Sequence, residues 1–178
     1  LHEELRCVAE MADVARRPAA ARALAQYAGA DDLIIFVRDE AIGRSLPAAG
    51  FPQTLRGGRV WRDLIDRAVA CTPDSSPAEA TITEPGGRSL PAHAVGLDDG
   101  TALVLLGGTL REEVVATLCA LLPLVGALFR TEATAQRAQA ESLLAGQTAA
   151  QASALPARLD ATRADLPRAP AGAGRAPR

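Results

Sequence analysis

A hydrophobic run, TALVLLGG at 101–108, passes through two glycines directly into TLREEVVATLCALLPLVGALFRTEATAQRAQAESLL at 109–144. A strand feeding one very long helix restricts the possible folds more than any other feature of this chain. Thr109 is placed to N-cap the helix, its hydroxyl on the Glu112 amide and the Glu112 carboxylate reaching back, with Glu113 as a second acid at the positive helix end. The first half of the helix is too apolar to be exposed, but after Phe129 the sequence turns to Ala, Gln, Glu and Arg. The helix is therefore expected to leave a core and continue into solvent or against a second copy.

A chain of 178 residues suits one domain of about 100–150 residues with an extension. All nineteen basic residues are Arg, interspersed with the acids at a net charge of -2, and no basic stripe forms. Nucleic acid is thereby disfavoured as a partner. The three cysteines, Cys7, Cys71 and Cys119, stand apart, with no CxxC and no His at ligand spacing. That speaks against a metal site and for reduced thiols in a cytoplasmic protein. The longest apolar stretch, 114–129, holds about 16 residues and includes Thr117, Pro123 and Gly126. A membrane span needs roughly 20, so the stretch reads as a core helix. The first residue is Leu rather than Met, which suggests a piece of a longer protein.

Along the chain, 1–17 reads as a helix with Leu5, Val8 and Met11 near one face, and Pro18 opens a second helix that Gly29 ends. LIIFV at 33–37 is a continuous apolar run suited to a central strand covered on both faces, and 41–47 is a weaker strand. Gly57 and Gly58 precede a helix with Val60, Trp61, Leu64, Ile65, Ala68 and Val69 at helical spacing. After a Pro/Ser linker at 72–77 come a strand at 79–84 and a hairpin, 90–97 with 102–106, closed by Asp98-Asp99-Gly100. The fold class expected is α+β, a two-layer domain: a mainly antiparallel sheet with helices packed on one face, followed by the long C-terminal helix.

This order of elements resembles the GAF domain, an input module of bacterial sensor kinases and cyclic-dinucleotide enzymes. LPAAGFPQTLRGGRVWRDLIDRA at 46–68, RSLPAHAVGLDDGTALVLLGG at 88–108 and LLPLVGALFRTE at 121–132 look like the divergent GAF-like segment ahead of coiled-coil and histidine-kinase modules. The resemblance spans roughly 5–141. With the composition, it divides the chain into a sensory domain at 1–130, a helical or coiled-coil linker at 131–166 and a disordered tail at 167–178. RLDATRADL at 158–166 is similar to the helix that leads into kinase dimerisation helices. A kinase or other effector would then lie downstream; none is in this chain, and no ATP-binding Asn box exists without Asn.

The chain departs from the better-known GAF branches. The Asn-Lys-Phe-Asp-Glu motif of cyclic-nucleotide binders is absent, and no cysteine is followed by His as in bilin binders. The enzymatic alternative the family offers is a free methionine sulfoxide reductase, against which Cys7 and Cys119 fall on apolar helical faces. His2 with Glu3 and Glu4 superficially resembles a phosphoacceptor box, but the plainer reading is an exposed His at a helix end. Candidate ligand-binding residues are Trp61, His93, Arg59 and Phe51. Gly57-Gly58-Arg59 offers helix amides and a cation to an anion, or forms a plain loop-to-helix turn. Trp61 is a pocket wall or, more simply, core, and His93 is a pocket group or a packed strand residue. No cofactor is implied beyond an unidentified small molecule, and a ligand-free structural module is the alternative. A parallel homodimer is expected through the N-terminal helix and the exit helix, the latter at Leu118, Leu122, Val125 and Phe129, with Pro123 as a kink.

Overall fold

Five strands form one antiparallel sheet in the order β2-β1-β5-β4-β3 in the computed structural model, which describes residues 2–71, 76–84 and 86–164, with side chains described through 154. The elements are α1 (His2–Glu10), α2 (Arg17–Ala28), β1 (Asp32–Asp39), β2 (Arg44–Pro47), α3 (Gly58–Ala70), β3 (Ala78–Thr83), β4 (Ser89–Gly96), β5 (Ala102–Leu106) and α4 (Glu112–Ala164). The first compact unit runs through Thr134 and the second starts at Ala135. The tail expected at 167–178 and most of the linker at 72–77 lie outside the described residues.

The α+β class and the antiparallel sheet stand, but the central strand is β5 rather than β1. Residues Ala102–Leu106 are all buried, flanked by β1 in the register Asp32↔Leu106 to Phe36↔Ala102 and by β4 in the register Ala92↔Leu106 to Gly96↔Ala102. Leu33 to Val37 are equally buried, yet β1 carries only the short edge strand β2 on its other side. An apolar run reports two covered faces and not its place in the strand order.

The helices occupy both faces of the sheet, not one. Cross-strand partners share a face, so Ile34, Phe36, Ala94, Gly96, Ala102 and Val104 line one side. There α3 packs: the Trp61 ring lies 5.8 Å from that of Phe36, and a Cβ on Gly96 would stand 2.7 Å from the Ala68 backbone. The alternate residues Leu33, Ile35, Leu103 and Leu105 are equally buried on the opposite side, where α2 packs on β1 and Gly126 of α4 lies against Thr101. This third layer is what the two-layer expectation missed.

Two boundaries also move. The first helix stops at Glu10 and α2 starts at Arg17, and Leu5 is 40% exposed while Cys7, Val8 and Met11 are buried. The long helix starts at Glu112, so Arg111 and not Thr109 precedes it; the Arg111 amide donates to the Ala28 carbonyl at 2.9 Å. Thr109 instead brings its carbonyl to Gly29, where a Cβ would overlap it, and Gly108 meets the Gly29 carbonyl in the same way. With φ of 85° and 71°, both glycines are required twice over, by backbone angle and by close approach.

The four residues assigned to a dimer face are core. Leu118, Leu122, Val125 and Phe129 are at most 2% exposed within their own domain. The apolar width of the helix is consumed by the third layer, and Leu124, 54% exposed, is the large apolar residue it leaves outside there. The helix contains a window long and apolar enough to cross a membrane by length and composition, and these core residues fall in its apolar stretch. It runs on through Pro123 and past Thr134.

Candidate functional site

The four candidate ligand residues do not converge. Trp61 is buried in α3, its Nε1 donating to the Arg56 carbonyl at 3.0 Å. Phe51 lies at the other face, its ring 6.0 Å from that of Phe129. His93 on β4 is paired across the ladder with Glu79, Nδ1 to Oε1 at 3.4 Å. Arg59, with its side chain 88% exposed, stands near Asp63 at 3.8 Å. Of the four, Arg59 lines a sizeable cleft.

That cleft, of ≈ 590 Å³, opens between β2 and α3. Its walls carry Ser45 and Leu46 from the strand, Ile65 from the helix, the cations Arg44, Arg59 and Arg62, and the acids Asp63 and Asp66. A short edge strand beside an amphipathic helix leaves such a gap because β2 has no further strand to extend the sheet under α3. The walls are polar and mixed in charge, so the cleft suits a small polar ligand rather than a flat aromatic one.

The other concentration of polar chemistry clasps α4 where its core residues end, and sequence reading missed its centre. Arg17 is fully buried: Nε donates to the Met11 carbonyl at 2.8 Å, Nη1 to the Ala49 carbonyl at 2.5 Å and Nη2 to Glu132 at 2.7 Å, with the guanidinium 4.6 Å over the Phe129 ring. One cation thus joins the end of α1, the loop after β2 and the exit helix. Helical periodicity held the signal, because Arg17, Ala20, Ala21, Leu24 and Ala28 share the buried face of α2.

Two residues before Glu132, Arg130 forms an ion pair with Asp99 and donates to the Thr101 hydroxyl at 2.9 Å. The turn that closes the β4–β5 hairpin is thereby fastened to the helix. Partial burial pushes the Asp99 carboxyl upward, but the Thr101 hydroxyl and amide and the Arg130 guanidinium together hold it below the ordinary carboxylate value. Asp99 and Gly100 were legible as turn residues; their second role depends on where α4 passes.

Two of the three thiols are held back by burial. Cys7 is buried and Cys119 half-buried, and burial raises both above the ordinary thiol value, which disfavours the reactive thiolate. Cys71 is exposed and shares a crevice of ≈ 40 Å³ with Cys119. Among the described residues no group of His, Cys, Asp and Glu has the grouping a metal site requires. No protein-family profile, curated protein or solved structure matches the chain.

Proposed function

We propose that this chain is a non-catalytic, GAF-like input and dimerisation module of a cytoplasmic signalling protein, passing a packing change through α4 to a downstream effector such as a histidine kinase. One observation carries the reading: α4 supplies Leu118, Leu122, Val125 and Phe129 to the domain core, is clasped at Arg130 and Glu132, and continues as the same helix to Ala164. A change of packing in the domain therefore acts on an element that extends beyond it.

Residues 135–154 are exposed throughout, with Leu143 and Leu144 each 63% exposed on a stretch otherwise of Ala, Gln, Glu, Arg, Ser, Thr and Gly. A helix with so little apolar surface gains stability from a partner helix, and a second copy supplies one in register. Light scattering at micromolar concentration tests this. A dimer that becomes monomeric on Leu143→Gln/Leu144→Gln supports the reading, and a wild-type monomer still helical through residue 144 overturns it.

A further inference from the structure

We infer that Ser45 is a positioning residue coupling the β2–α3 cleft to the exit helix, through the β4–β5 turn. The inference rests on the reading of the domain as an input module and names the route by which occupancy of the cleft would reach α4. Ser45 lines the cleft, and its hydroxyl donates to the Gly100 carbonyl at 2.6 Å, across 55 positions of sequence. Gly100 belongs to the turn whose Asp99 accepts from the Thr101 amide at 2.8 Å and pairs with Arg130 on α4. The turn is also wedged from below. Gly100 has φ of 84°, and a Cβ there would stand 2.7 Å from the Arg38 Cβ, while Arg38 pairs with Ser45 in the ladder. Arg38, Ser45 and Gly100 thus move as one packed group, and the group ends on the ion pair that holds the helix.

A serine hydroxyl has one proton to donate. A ligand oxygen that accepts it, a carboxylate or phosphate oxygen flanked by Arg44 and Arg62, would take it from the Gly100 carbonyl and free the turn. Asp63 and Asp66 on the same walls oppose a high charge density, so the ligand class is a compact oxyanion with further polar groups.

Hydrogen exchange on the whole chain tests the coupling without a ligand. Ser45→Ala should speed amide exchange in α4 around residues 126–134 by about 3- to 10-fold, the range set by one lost hydrogen bond. Asp99→Asn should do the same, and the double variant should add little to either single one. Ser45→Thr, which keeps the hydroxyl, should restore the slow exchange. If Ser45→Ala changes exchange only in β2, or if the two variants act independently, the coupling is refuted. A thermal scan with inorganic phosphate and with citrate separates the two readings. Coupling without stabilisation by either anion leaves the relay standing and removes the oxyanion as input. Stabilisation with α4 unchanged in Ser45→Ala removes the relay and leaves the input module.

Discussion

Arg17 and Glu132 stand 115 positions apart in sequence and meet at 2.7 Å, with the arginine side chain fully enclosed and the glutamate 22% exposed. Three further contacts of the same guanidinium, to Met11, Ala49 and Phe129, leave it with no route to water. Removing its counter-charge strands a buried cation. Glu132→Ala should therefore cost about 3–5 kcal/mol of unfolding free energy, read from urea denaturation. The double variant Arg17→Met/Glu132→Leu should lose less than the two single losses added together. A single-variant loss under ~1 kcal/mol would place the pair in the range of surface ion pairs.

Trp61→Ala should cost about 3–5 kcal/mol, the usual loss for an aromatic truncated in a packed core. Its ring fills the space over Phe36, and its Nε1 satisfies the Arg56 carbonyl. Trp61→Phe should lose about 0.5–1.5 kcal/mol, the share of that hydrogen bond plus a small packing change. Intrinsic fluorescence supplies the check before denaturation, because the one Trp should emit at the blue end typical of an enclosed indole.

Gly96→Val should destabilise by about 1–3 kcal/mol or more, by overpacking. Its added carbon would meet the Ala68 backbone, which cannot rotate away as a side chain does. Calorimetry on the variant should show a lowered Tm, whereas Gly58→Ala, where a Cβ meets nothing within 4 Å, should leave Tm unchanged or raised.

The Asp99–Arg130 clasp sets a pH dependence. Because the Thr101 hydroxyl and amide, together with the Arg130 guanidinium, hold the folded-state pKa of Asp99 below its ordinary value of 3.8, the ionised carboxylate stabilises the fold fully above that value. The contribution is lost as pH falls through the folded pKa. Both side chains are about a third exposed, so salt should weaken it. Chemical denaturation between pH 3 and pH 6 should show a shallower loss of stability on acidification in Asp99→Asn than in the parent. Equal slopes would mean that the contacts of Asp99 with Thr101 and Arg130 are open in solution.

Local information in the sequence was enough for the strand runs, the Asp-Gly hairpin turn, the buried stripe of α3 and the existence of the long helix. Each is set by side-chain periodicity or by backbone angles that only glycine adopts readily, properties that act over a few residues. Sequence could also separate the apolar half of α4 from its polar half. It could not say what the apolar half faces: Leu118, Leu122, Val125 and Phe129 read equally well as a dimer seam or as core, since both bury the same stripe. Tertiary structure settled their placement by closing a third layer over Leu33, Ile35, Leu103 and Leu105. The same long-range assembly set β5 at the sheet centre and left the cleft beside the short strand β2. It also brought Ser45 to Gly100, Arg130 to Asp99 and Arg17 to Glu132. Those pairings lie 31–115 positions apart, and no local pattern of charge or spacing encodes which partner a distant side chain will meet.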